Sequence, residues 1–247
     1  MHIDGKKVTA MYWGGLKIRE AWYEGKRVFS GKPVEVMPPM PGEYGARDWL
    51  RAKLTEYGED YQTVEEIPFE IDSSNATNMR YMFRDCSSLT TVPPMDTSQV
   101  TSTAYMFDGC SSLVEVPPMD TSQVTFMGSM FEGCSSLTSV PPMDTSQVTS
   151  TGYMFEGCSS LTSVPPMDTS QVTYTAYMFD GCSSLVEVPP MDTSQVTYTG
   201  YMFYGCAQLT DGNVRLIGKH PSVRTDGMIN NSGLTREPFY DSSGQPI

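Results

Sequence analysis

Six cysteines, Cys86, Cys110, Cys134, Cys158, Cys182 and Cys206, each fall 24 residues after the last. A thiol can ligate a metal, close a disulfide or attack an electrophile, and each role needs a partner. No CxxC pair accompanies these cysteines, and the two histidines, His2 and His220, lie outside the repeated segment. Side chains from one position of successive units point the same way and bridge poorly. The spacing predicts a column of inert core thiols. Six aspartates, Asp72, Asp96, Asp120, Asp144, Asp168 and Asp192, keep the same period. Each is followed by Ser or Thr and then Ser, so its carboxylate suits the turn it opens. Stacked carboxylates could also hold calcium, but the Gly-rich nonapeptide of calcium-binding repeats is absent. With no histidine in the repeats, a His-based triad cannot be assembled there. Equivalent acids in every unit also argue against one differentiated acid–base pair. No enzymatic activity and no cofactor are expected.

Aromatic residues repeat as well. Tyr81, Tyr105, Tyr153, Tyr177 and Tyr201 occupy one position of the unit, and Phe126, Tyr174 and Tyr198 another, three residues earlier. Two readings stand beside each other. The rings form an exposed stripe that grips glycan rings or a protein partner, or they cover neighbouring units and complete the packing. A second candidate surface carries Glu115 and Glu187, with small polar residues at the equivalent positions.

The repeated unit, typified by residues 95–118, has 24 residues, a period that signals units burying their apolar faces on one another. Within it Thr103, Met106, Phe107 and Cys110 show the i, i+3, i+4, i+7 spacing of one face of a short helix. Thr101 suits its N-cap and Gly109 a left-handed stop. Leu113 and Val116 open a short strand that Pro117 and Pro118 end. The expected fold is therefore α/β, a leucine-rich-repeat solenoid with a short strand and a short helix per coil. Six regular repeats span 71–214. Residues 46–70, a helix over 46–57 stopped by Gly58 and then a strand, read as an N-terminal capping unit, and 215–247 as a C-terminal one. Residues 32–45 read as a linker from their Pro and Gly. Residues 1–31 read as a small antiparallel β-meander, with strands over 7–13, 16–23 and 26–29 around Gly-containing turns.

Charge is unevenly placed. Residues 71–214 carry 14 Asp and Glu against 2 Arg, most of the chain's net −13. Such an acidic array disfavours nucleic acid. No run of 18 apolar residues exists, so no transmembrane segment is expected, and the N-terminus lacks a hydrophobic signal core.

The string from Asp72 to Leu89, DSSNATNMRYMFRDCSSL, and its five further copies resemble the BspA-type leucine-rich repeats of bacterial surface proteins and mycoplasma lipoproteins. That resemblance implies a non-enzymatic binding or adhesion module with a protein or glycan ligand, at the cell surface or outside the cell. Here Val-Pro-Pro-Met stands in place of the family's longer strand segment, which predicts a short ladder. Tyr23-Glu24-Gly25-Lys26-Arg27-Val28 resembles N-terminal segments of bacteriophage tail proteins. This implies an alternative, a virion component in structure or host recognition. An enzyme acting on glycans is the distant alternative.

Overall fold

A computed structural model describes residues 33–37 and 44–247 in full, and before them only the backbone of short strands. These are β1 (His2–Ile3), β2 (Lys6–Lys7), β3 (Met11–Trp13), β4 (Leu16–Ile18), β5 (Ala21–Tyr23) and β6 (Lys26–Phe29). They pair antiparallel as β1–β2, β3–β4 and β5–β6. Residues 16–23 thus serve two hairpins rather than one strand. Among the described residues no pairing joins those three hairpins to one another. The segment expected as a linker contains β7 (Val34–Val36), which pairs antiparallel with β4 and parallel with β8 (Glu70–Asp72). Alternating valines supply the strand despite the flanking prolines.

Helix α1 (Gly45–Glu56) buries Ala46, Leu50 and Leu54. Its flanking Trp49 and Tyr57 pack their rings against Phe69. Gly58, at φ +77°, stops it as expected. The first coil follows: Thr90 N donates to Glu65 O, one residue longer than the 24-residue step, because residues 64–72 carry one extra position.

From there every coil lies on the next in register. Parallel bridges run Ser102, Phe126, Ser150, Tyr174, Tyr198 and then Arg224. The expected helix is absent. Residues 103–110 form consecutive tight turns in which alternate amides serve different coils. Met106 N bonds Thr103 O (3.1 Å) and Cys110 N bonds Phe107 O (3.0 Å) within the coil, while Tyr105, Phe107 and Gly109 donate to Gly128, Met130 and Glu132 of the next. An α-helix would keep all its donors for itself; here half are spent on the neighbour. The turns require left-handed backbone at Tyr105 (φ 58°) and Gly109 (φ 76°). The inward face is nevertheless the expected one, with Thr103, Met106, Phe107, Cys110, Leu113 and Val116 all buried.

The expected strand at 113–116 shrinks to occasional bonds such as Val114 N to Thr90 O. The proline pair lacks the amides a ladder needs. Side chains take over: Thr121 Oγ1 donates to Asp144 O and Thr145 Oγ1 to Asp168 O, both at 2.8 Å. A true ladder returns only near the C-terminal end, where β9 (Met191–Asp192), β10 (Leu216–Ile217) and β11 (Phe239–Tyr240) pair in parallel. There residues 215–240 add a further coil, whose Gly227 and Asn231 take the two left-handed positions.

The core is a set of columns. Phenylalanines 83, 107, 131, 155, 179 and 203 stack nearly parallel, with centroids 5.3–5.7 Å apart. The six cysteines are free and buried beside them. Each of the last five thiols donates to a phenylalanine carbonyl, as Cys158 Sγ does to Phe131 O (3.1 Å). Burial pushes the Cys158 thiol up to about 12.

Candidate binding surface

The tyrosine position sits on the left-handed residue of the first turn, which throws its side chain outward instead of into the core. Five of the six repeats place Tyr there and one Ser129, all at φ 57–61°. A non-glycine residue in this conformation costs about 1–2 kcal/mol, and ring stacking between coils offsets part of it. Tyr81 and Tyr105 stack at 4.8 Å, Tyr153 and Tyr177 at 4.7 Å, Tyr177 and Tyr201 at 5.0 Å. Ser129 breaks the column in two. Tyr81, a candidate ligand contact by sequence, is buried: Tyr44, just ahead of α1, stacks on it at 4.8 Å. It caps the column and is closed to a partner. Tyr105, Tyr153, Tyr177 and Tyr201 are half-buried, so each ring shows only part of its surface.

Phe126, Tyr174 and Tyr198 stand on the bridge residues beside this column. Phe126 is 50% exposed. Tyr174 lies over Gly152 of the preceding coil, where a Cβ would meet its ring at 2.4 Å. Burial, and then the nearby Tyr174 hydroxyl, raise the Tyr153 hydroxyl above its ordinary value. Tyr198 meets Tyr174 edge-on at 5.8 Å. The five rings of Tyr153, Tyr174, Tyr177, Tyr198 and Tyr201 therefore form one surface that covers coils and leaves part of each ring exposed. Glu115 and Glu187 are exposed but not part of it. They stand beside the proline pairs, flanked by the exposed Val114 and Val186, where only shallow hollows lie between Pro117, Pro118 and their neighbours. The aspartate column caps turns: Asp96 Oδ1 accepts the Ser98 hydroxyl (2.7 Å) and amide (3.0 Å), which hold its carboxyl below the usual range.

Sequence reasoning missed a carboxylate ladder. The residue after each core phenylalanine is Asp108, Glu132, Glu156 or Asp180, preceded in the column by Arg84 and followed by Tyr204. The residue varies between Asp and Glu, so it passed as a loop position; its 24-residue period was the available signal. The ladder runs beside the tyrosines, Glu156 next to Tyr153 and Asp180 next to Tyr177. Burial, with Glu132 second, raises Glu156 to about 7 and Asp108 to about 6; burial also raises Asp180. Arg84 Nε lies 2.8 Å from Asp108 Oδ2, an ion pair whose angle falls short of a hydrogen bond. Its guanidinium also sits 5.5 Å from the Tyr81 ring centre and 5.9 Å from that of Tyr105. Among the described residues, no cation pairs with Glu132, Glu156 or Asp180, and no group of His, Cys, Asp and Glu is placed to hold a metal ion.

A family described as "Mycoplasma protein of unknown function, DUF285" matches residues 57–163 and 138–228. The chain belongs to this family. Among solved structures it is similar to a leucine-rich repeat protein from Eubacterium ventriosum ATCC 27560, determined by crystallography at 2.50 Å resolution. The two are 23% identical with a TM-score of 0.51, over 71% of this chain and 45% of that one. The likeness shows a leucine-rich-repeat fold, and the chain spans under half the length of that protein. No curated protein matches. The BspA-type resemblance read from the repeats agrees with both findings. The family's matched segments contain every ring of the aromatic surface and every rung of the carboxylate ladder, so the surface is made of the family repeat itself. Among the described residues no helix is long and apolar enough to cross a membrane.

Proposed function

We propose that the chain is a non-enzymatic binding module, a leucine-rich-repeat solenoid that presents its aromatic surface to a protein or glycan partner at the cell surface or outside the cell. The observation that carries this is the joined double row of Tyr153, Tyr174, Tyr177, Tyr198 and Tyr201, half-buried at their bases and open on their outer side. Core packing is complete without the outer row, since Ser102 and Ser150 hold the same bridge position in other coils. Tyrosine is a frequent anchor in interfaces because it offers large contact area with few rotatable bonds.

The repeats supply their own conservative variants. Tyr174→Ser and Tyr198→Ser copy positions 150 and 102, and Tyr177→Ser copies position 129, so none should unfold the stack. The protein is screened on arrays of glycans and of extracellular proteins, and each ligand found is measured again with the triple variant. Binding that falls at least tenfold supports the reading; ligands bound equally by the triple variant refute it.

A further inference from the structure

The aromatic surface and the ladder beside it make a composite whose charge is one-sided. Three successive rungs, Glu132, Glu156 and Asp180, carry carboxyl groups about one coil apart, roughly 5 Å. No cation of the described chain answers them. The array they belong to holds 14 acids against 2 arginines. Burial first, and then the neighbouring carboxylates of the ladder, make Glu156 and Asp108 resist ionisation.

At one end the molecule shows what answers such a site. Arg84 occupies the ladder's own column, pairs with the first carboxylate, Asp108, and lies against the Tyr81 and Tyr105 rings. The planar guanidinium suits this setting, since its forked donors meet carboxylates while its flat body lies along the ring edges, and it sheds its hydration more readily than an ammonium. Arg224 repeats the pairing at the far end, 5.0 Å from the Tyr198 ring centre and bound to Asp226 at 2.8 Å. Between them, Tyr153, Tyr177, Glu156 and Asp180 offer rings and carboxylates of the same kind with no arginine.

We infer that this middle stretch docks an arginine-bearing segment of a partner protein, seating guanidinium groups against the outer sides of Tyr153, Tyr174 and Tyr177 and pairing them with Glu156 and Asp180. The inference rests on the binding-module reading and names its partner. The charge of the ladder selects a cation, and the forked guanidinium, which meets carboxylates two-pronged, selects arginine over lysine. A glycan without positive charge would leave the carboxylates unanswered.

The test uses the whole chain and three labelled octapeptides, Arg-Gly, Lys-Gly and Glu-Gly repeats, in fluorescence anisotropy at pH 7.5. The Arg peptide is expected to bind at least fivefold more tightly than the Lys peptide, with the Glu peptide silent. Glu156→Gln/Asp180→Asn should weaken the Arg peptide at least tenfold. Glu59→Gln/Glu65→Gln, which removes two exposed charges elsewhere, should change it less than twofold. No binding, equal affinity for Arg and Lys peptides, or equal loss in both double variants overturns the inference. If a partner found on the arrays is lost with the tyrosine variants but kept by Glu156→Gln/Asp180→Asn, the binding-module reading survives and the arginine-bearing partner does not.

Discussion

Glu156→Gln is a direct probe of the carboxylate ladder, because it keeps the shape of the side chain and removes its charge. In the folded chain Glu156 titrates near 7, against 4.5 ordinarily, because burial and then Glu132, Asp180 and Asp108 penalise its ionised form. Between those two values the folded state holds a proton that the unfolded chain releases, so stability falls as pH rises through this window. At about 1.4 kcal/mol per pH unit the full gap sets a ceiling near 3 kcal/mol. Water on the open side of the ladder screens the group, which reduces the expected effect to about 1 kcal/mol. Below pH 4.5 both side chains are neutral and the substitution should be nearly silent. At pH 8 the Gln variant should be the more stable by that amount. Urea unfolding at pH 4.5, 6, 7 and 8, followed by near-ultraviolet circular dichroism of the stacked rings, measures the difference directly. A stability difference that stays the same at pH 4.5 and pH 8 would refute the claim that the ladder's carboxylates crowd one another.

Three further outcomes are expected. Phe155→Ala removes a fully buried ring stacked at 5.6 Å on both Phe131 and Phe179, and should destabilise by about 3–5 kcal/mol in urea titration. Gly157 sits at φ +71°, and a Cβ there would meet nothing nearer than the Gly133 backbone at 3.5 Å, so Gly157→Ala should cost about 1 kcal/mol from backbone strain alone, and Gly157→Asn less, since Asn tolerates the left-handed region better and Asn231 adopts it at the equivalent position. The six thiols should resist a soluble disulfide reagent until urea unfolds the coils, because each is buried and Cys158 ionises only near 12; rapid labelling of the native chain would show that the core opens.

Much of this fold is written in the period itself. Phe107, Cys110 and Leu113 are buried where their spacing placed them, because spacing reports which residues share a face whatever the turns between them. The same spacing misnamed the backbone. Residues 103–110 read as a helix because i, i+3 and i+4 neighbours also coincide in successive tight turns, and only the inter-coil bond from Tyr105 to Gly128 tells the two apart. That bond depends on a residue 23 positions away, which no local pattern contains. The tyrosine row was legible as a column, but the burial of Tyr81 was not, since it comes from Tyr44 outside the repeat. Val34–Val36 was hidden by its prolines and is defined by pairing with Glu70–Asp72, far along the chain. The ladder of Asp108, Glu132, Glu156 and Asp180 was visible all along as charge, yet its meaning lies in the distance between coils.

The contacts at the two ends of the stack carry a consequence for how the chain finds its register. The inner coils are nearly copies, so one can sit on the wrong neighbour, slipped by 24 residues, and bury almost the same surface. The middle of the array therefore says little about order. Discrimination falls to interactions that occur once: Tyr44 on Tyr81, Arg84 on Asp108, and Asn231 Nδ2 donating to the Tyr204 hydroxyl at 2.8 Å. These unique pairs act as bookends that count the coils between them, and a chain that lost them would be free to assemble with coils looped out or shared with another molecule.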